Sequence, residues 1–384
     1  MFLYMYINNM SSSSSSSSRT KSKWSSFQPD DIMMFLPDLK TIKAKKKNEP
    51  RGSEQRHPFF RQHKLDVCQY TNEPERCIKD VSFIGQGGFS KVYTATNVCQ
   101  APPGIPAGVP FLVRRVIKQK RLYNVPPGFY LQTHLEHPHI VRTCVIYPDE
   151  IHKTVVVIQE LVPGIELEEL LKAQQEQRLK SSYDIAIIMY QMADALNYLH
   201  SNNLVHGDVK PSNMMYDPKH HYTTLIDMDS VQPDNSIINF KGTVSFAAPE
   251  AMLSPPPFTP AIDMWSLGMV LYELIEGYDT SPINGDYVNL YNYIKKTDHP
   301  LNHLKIPISK SLGSLLVGLL QVDPTKRMTA KQVMEHPWVR SEINTHNISE
   351  THPYRTKKTL SKRTHSLSKK SGLKKRPRRT MKSI

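Results

Sequence analysis

Asp208, Lys210 and Asn213 stand in the stretch Leu204-Val205-His206-Gly207-Asp208-Val209-Lys210-Pro211-Ser212-Asn213, with an apolar Met214-Met215 behind it. An acid, a cation two residues on and an amide five residues on suit one kind of chemistry. The carboxylate can orient a hydroxyl and take its proton, the ammonium can offset charge on a transferring phosphate, and the amide can ligate a metal. The same residue types also build turns, so this stretch alone leaves a plain polar loop open. Farther on, Thr224-Leu225-Ile226-Asp227-Met228-Asp229 reads as an apolar strand ending in an acid. Asp227 is placed to hold a divalent cation against phosphate oxygens.

Such residues need a frame. Ile185, Ile188, Met189, Met192, Leu196 and Leu199 recur at helical spacing ahead of the loop and form a core stripe. The spacing from Asn213 to Thr224 suits a short β-hairpin, and Ala261 to Glu276 is a second, largely apolar helix containing Trp265 and Leu267. Upstream, Val81 to Ile84 reads as a strand running into Gly85-Gln86-Gly87-Gly88-Phe89-Ser90-Lys91-Val92. Glycines let a backbone approach phosphates closely and leave N–H groups to point at them, although a glycine-rich turn by itself is commonly just a hairpin. Asn97 to Pro110 is a Pro/Gly-rich insertion, read as a lengthened hairpin loop. Phe111 to Lys118 is a strand mixing apolar and basic residues, and Thr154 to Ile158 is a buried strand, β-branched throughout.

Three further stretches complete the set: Gly242 to Glu250, Asp263-Met264-Trp265-Ser266-Leu267-Gly268, and Asp323 through Arg327. From about Val81 to Val339 the chain resembles a eukaryotic-type protein kinase of the serine/threonine branch. The resemblance implies an α+β, two-lobed kinase fold with a small β-rich N-lobe and a larger, mainly helical C-lobe. It puts the domain at 78–340, between a Ser/Lys-rich segment 1–77 and a basic tail 341–384, both expected to be disordered. The implied activity is ATP-dependent transfer of the γ-phosphate to serine or threonine of protein substrates, with Mg2+. Asp208 and Lys210 would be catalytic, and Asn213 and Asp227 would hold the metal. Ile84, Gly85, Gln86, Gly87, Gly88, Phe89, Ser90, Lys91 and Val92 would form the phosphate loop, with Ser90 replacing its third glycine. Gln159 would be the gatekeeper, the backbone of Glu160 and Val162 would meet adenine, and Glu166 would reach the ribose. A solvated helix start also accounts for Glu166. Glu250 and Arg327 would form a buried structural ion pair, and His206 would pack, not react.

The N-terminal half departs from the family pattern. The base that grips the α- and β-phosphates has two competing registers, Lys118 and Arg114, of which Lys118 is favoured. Between Val81 and Leu135 there is no Asp or Glu. The helix glutamate that pairs with that base therefore has no candidate: its place falls near Gly128, behind the helix-breaking Pro126 and Pro127. The helix is expected to shrink to about two turns, Phe129 to Glu136. Gly207 replaces the arginine that receives an activation-loop phosphate, and Asp227 to Glu250 is short, so activity without loop phosphorylation is expected. Two rival readings stand: a pseudokinase scaffold, resting on the missing glutamate, and a small-molecule phosphotransferase of the aminoglycoside or choline kinase type.

The net charge of +14 is concentrated. From Arg355 onward there are 13 Lys and Arg and no acid. That tail is expected to contact polyanions or nucleic acid, and Lys374 to Arg379 resembles a nuclear localisation signal. Cys68, Cys77, Cys99 and Cys144 show no paired spacing, so neither zinc nor a disulfide scaffold is implied, and a soluble, reduced, intracellular setting is expected. Met1 to Ile7 is too short for a signal peptide, and no window is apolar enough to span a membrane.

Overall fold

The computed structural model describes residues 67–345, apart from 279–303 and shorter stretches that include 87–89, 103–107, 119–126, 175–178, 237–241 and 253–257. The tails, Gly87, Gly88 and Phe89 therefore lie outside the described residues. Secondary structure is already present before the expected boundary at Ile78. Val67–Tyr70 forms a 3-10 turn and Pro74–Cys77 a short helix, α1. Both lead into a sheet of β1 (Ile78–Gln86), β2 (Ser90–Asn97), β3 (Leu112–Lys118), β4 (Thr143–Asp149) and β5 (Thr154–Glu160), in the antiparallel order β1-β2-β3-β5-β4. This is the β-rich lobe.

Alternation divides the sheet between two apolar layers. Val156 and Ile158 pack with Val67, Ile78 and Phe111 on one face, while Val155 and Val157 pack with Ile117 on the other. Register then decides which basic residue of β3 points where. Arg115 is paired with Val157 and is buried on the second face with Ile117. Arg114, one residue earlier, turns to the opposite face, where its fork meets Asp80 at 2.6 and 2.5 Å and lies over Tyr93.

All four cysteines are paired, contrary to the sequence expectation. Cys68 joins Cys144, and Cys77 joins Cys99. The reason is topology, which spacing cannot reveal. Pairing of Ile78 with Asn97 and a hydrogen bond from Val98 to the Cys77 carbonyl bring Cys77 beside Cys99. The 3-10 turn carrying Cys68 packs on the same core as Cys144 of β4. With these pairs, the ground for expecting a reduced setting is gone.

The second lobe follows the hinge. A two-residue β6 (Ile165–Glu166) precedes α2 (Leu167–Ala173) and α3 (Ser182–Ser201), whose N-terminus is capped by the Ser181 hydroxyl. The predicted stripe from Ile185 to Leu199 is buried along α3. Then come β7 (Leu204–Val205), a hairpin of β8 (Met214–Asp217) and β9 (Tyr222–Leu225), and β10 (Gln232–Pro233), which pairs with β7. Helix α4 (Pro260–Glu276) starts on proline, which lacks only an N–H that would be orphaned there, and is buried from Ile262 to Ile275. Helices α5 (Lys310–Leu319), α6 (Ala330–Glu335) and α7 (Pro337–Thr345) complete the lobe. His336 stands between α6 and α7, and Pro337 starts α7. Among the described residues, no helix is long and apolar enough to cross a membrane.

Candidate active site

The loop from His206 to Asn213 is held from beneath by α4. Asp263, almost fully buried, accepts hydrogen bonds from the backbone N–H groups of His206 and Gly207, each at 2.8 Å, and lies 2.9 Å from His200 Nε2. Gly207 has φ +78°, and a Cβ there would stand 2.6 Å from the Phe258 ring. The place of the missing arginine is thus closed by backbone conformation and by an aromatic side chain. His206 is buried, and burial holds its imidazole below the usual range, so it is a neutral packing residue as the sequence suggests.

Asp208 is surrounded by donors. Lys210 Nζ meets Oδ2 at 2.7 Å and Asn213 Nδ2 lies 3.2 Å from it. The backbone N–H and hydroxyl of Thr243 meet Oδ1 at 2.9 and 3.0 Å, and Lys210 also donates to that hydroxyl at 2.8 Å. Burial works against the charged form of Asp208, but Lys210 and these hydrogen bonds outweigh it and hold the carboxyl below its ordinary range.

Hairpin register brings in the next acid. Met214 pairs with Leu225, and Ile226 N–H donates to the Asn213 carbonyl at 2.8 Å, so Asn213 and Asp227 flank the same pair of strands. Asp227 sits in the left-handed region at φ 60°, which is unfavourable for a residue with a Cβ, and it begins a 3-10 turn, Met228–Ser230.

Among the described side chains, the cation that reaches these acids is one the sequence reading did not offer. Arg115 donates to Asp229 through Nη1 at 3.0 Å and Nη2 at 2.6 Å, and through Nη2 to Asp227 at 3.2 Å. Burial opposes its charge, but the two carboxylates outweigh this and keep the guanidinium firmly protonated. Lys118 and Arg114 are both even positions of β3, whereas Arg115 is odd. Lys118 ends the strand opposite Thr154, and its side chain lies outside the described residues.

The expected α-helical remnant is a 3-10 helix, Pro127–His134. Its Gln132 is fully buried. Gln132 hydrogen-bonds to Asp229, its Oε1 accepts from the Thr143 hydroxyl at 3.1 Å, and that hydroxyl accepts from Gln159 at 3.0 Å. Arg115, Gln132 and Asp229 escaped the sequence reading, and only strict alternation along β3, counted from its buried residues, could have found Arg115.

At the hinge, Glu160 N–H donates to the Arg142 carbonyl at 3.0 Å and its side chain is buried, while Val162 is half-buried. Glu166 begins α2 without capping it, and partial desolvation together with Glu168 and Glu169 pushes its carboxyl up. Gly85 and Gln86 end β1, and Ser90, Lys91 and Val92 begin β2, so the visible ends of the glycine-rich turn lie on paired strands. Below, Glu250 and Arg327 form a fully buried, doubly hydrogen-bonded ion pair, with the guanidinium 5.2 Å from the Trp265 ring centre.

Comparison with known proteins agrees with this layout. Residues 78–339 match the family described as "Protein kinase domain". The calcium/calmodulin-dependent protein kinase type 1 of Caenorhabditis briggsae is 28% identical over 80% of this chain and 85% of its own length. That of Macrobrachium nipponense is 30% identical over 76% and 82%, and the Aurora kinase of Yarrowia lipolytica 28% over 67% and 66%. The five ordered motifs, the two-lobed fold, the buried Glu250–Arg327 pair and the extent of these matches lead to one identification: the chain belongs to the protein kinase family and is an enzyme of its serine/threonine branch, phosphorylating proteins at the expense of ATP.

Proposed function

We propose that Asp208, Lys210, Asn213, Asp227 and Arg115 carry the transfer, with Arg115 taking the role that the sequence assigned to Lys118. The observation that carries this reading is the convergence of Lys210, Asn213 and Thr243 on the carboxylate of Asp208. A carboxylate kept ionised by its neighbours can accept the proton of an incoming hydroxyl and hold its oxygen on line. Lys210 lies beside it, where negative charge develops on the transferring group, and Thr243 fixes both. Positioning and electrostatics supply most of the acceleration in such a site.

The donor set suits Mg2+. Asn213 and Asp227 are hard oxygen ligands, and no cluster of three or more acidic, His or Cys side chains that could cage a metal occurs among the described residues. A cation that keeps several waters and leans on substrate phosphates asks for no more than this. When bound, the metal neutralises phosphate charge. The chain's own part is to aim Asp227, whose side chain is 41% exposed, while Arg115 meets only one of its oxygens. Glu160 and Val162 would border the adenine and Glu166 the ribose, as in the family pattern. Residues 84–92 would cover the phosphates. The basic tail beyond Arg355 would add salt-sensitive polyanion contact, since cations without neighbouring acids release counterions on meeting phosphates.

A radiolabelled-ATP assay on the full chain with histone, casein and small amino-alcohols tests this. Label is expected in the proteins, to be lost in Asp208→Asn. Label confined to the amino-alcohols would move the assignment to small-molecule phosphotransfer. Incorporation unchanged in Asp208→Asn would remove that residue from the mechanism.

A further inference from the structure

We propose that Asp229 is a positioning residue for the transfer, the anion that aims Arg115 at the nucleotide phosphates and limits its hold on Asp227 to a single oxygen. The proposal rests on the reading above, in which Arg115 is the phosphate-gripping cation. Three observations carry it: an arginine buried on the inner face of β3, a carboxylate that takes both its terminal nitrogens, and a lobe without acid from Val81 to Leu135.

A cation that grips phosphates needs an orienting anion, because an unpaired buried charge is costly and moves to whatever counter-charge it can reach. In this molecule the nearer acids belong to the other lobe. Asp229 lies two residues beyond Asp227 on the same 3-10 turn, and both of its oxygens face the guanidinium fork. That bidentate match explains arginine here, since an ammonium is a point charge and cannot span two carboxylate oxygens and a second acid in a fixed plane. Asp229 is held in turn by Gln132, at the end of the relay from Gln159 through Thr143.

The two acids of the turn thus divide their work. Asp229 has both oxygens engaged by Arg115 and is also bonded to Gln132, whereas Asp227 gives Arg115 one oxygen at the longer distance of 3.2 Å. Without Asp229, the fork would close on Asp227 and draw it from the metal. The acid also sits on the metal-binding turn itself and not on a separate helix. Orientation of the cation therefore follows once that turn is formed, with no helix movement required.

The test is a double-mutant cycle on the full chain, with kcat and KM for ATP measured at saturating Mg2+ and thermal melting recorded for each variant. Asp229→Asn is expected to lower kcat/KM for ATP about 10- to 100-fold, the loss that follows from misplacing a group by about an ångström. In an Arg115→Met background the same change should cost less than about twofold, because its effect passes through the arginine. Gln132→Glu should restore most of the activity lost in Asp229→Gly, by returning a carboxylate to the fork from the other side. Equal losses in both backgrounds would show that Asp229 acts on its own and overturn the proposal, as would wild-type kinetics in a folded Asp229→Asn. Should Asp229→Asn fail to fold, Asp229→Gly/Gln132→Glu decides: activity within about tenfold of wild type supports the proposal, and activity at the Asp208→Asn level overturns it. If the wild-type chain itself labels no protein, it is the reading of the whole site that fails.

Discussion

The two halves of this active site were built under different constraints. In the C-lobe, Asp208, Lys210, Asn213 and Asp227 keep the family's residue types and spacing, and α4 anchors their loop through Asp263. In the N-lobe the inward-facing cation on β3 is an arginine, the helix is a 3-10 remnant, and its buried polar residue is a glutamine that shares Asp229 with that arginine. The difference follows from what each group must do. Taking a proton from a hydroxyl and ligating a metal are atom-specific tasks, so neither residue type nor position can move far. Holding positive charge against phosphates is a Coulombic task. It tolerates a different cation and a counter-ion delivered from another direction, provided that the pair is buried and bidentate.

The largest expected effect lies on the atom-specific side. Asp208→Asn should lower kcat by about 10²- to 10⁴-fold, the range for a removed general base. Its melting transition should remain cooperative. Asp208 is held ionised in the fold, so its contribution to stability is present above the ordinary carboxylate range and vanishes as pH falls through its lowered value. At pH 7 the Asn variant should therefore be somewhat less stable than wild type, and the gap should close in acid. A variant with wild-type turnover, followed by steady-state kinetics, would erase the distinction drawn between the lobes.

Next in size is the structural anchor of the same lobe. Glu250→Ala strands Arg327 in a fully buried place, with a side chain that has no exposure. The expected cost is about 3–5 kcal/mol. Denaturant unfolding followed by tryptophan fluorescence reads it. A loss below about 1 kcal/mol would mean that water reaches the guanidinium.

Much of this was legible in the sequence, and unevenly so. Apolar and β-branched runs placed β1, β3 and β5 but not β4, and the apolar spacing of 3.6 residues placed the stripe of α3, while the apolar run of α4 marked that helix. The loop from Asp208 to Asn213 stood out because the chemistry proposed for it fixes residue type. Arg115 was not, since two adjacent arginines and a later lysine are equivalent in composition, and only the register Arg115–Val157 says which one faces inward. The disulfides were hidden for a related reason: Cys68 and Cys144 are 76 residues apart, and strand order alone makes them neighbours.

Those disulfides give the third prediction, on the N-lobe side of the comparison. Closing loops of 76 and 22 residues, they should each contribute about 2–4 kcal/mol. Reduction should lower the denaturant midpoint of the sheet while leaving that of the C-lobe core nearly unmoved. Two transitions would then separate where the oxidised chain shows one. Free-thiol titration of the unreduced, unfolded chain should find none of the four cysteines reactive, and four reactive thiols would refute the pairing.

The smallest effect sharpens the comparison most, because it concerns two neighbouring residues of one type. Arg114 and Arg115 are both paired with acids, but Arg114 meets Asp80 on the outer face, with side chains 23% and 31% exposed. Its neighbour's fork is buried against two carboxylates of the other lobe. A partly exposed pair is worth about 0.2–1 kcal/mol, and none of it is directed at the phosphates. Arg114→Met should therefore shift stability by no more than about that amount and leave kcat and KM for ATP within about twofold of wild type. Arg115→Met should cost transition-state stabilisation, lowering kcat/KM for ATP. If parallel kinetics found Arg114→Met to be the damaging substitution, β3 would be read one residue out of register, and the division of labour between the two faces of the sheet would have to be abandoned.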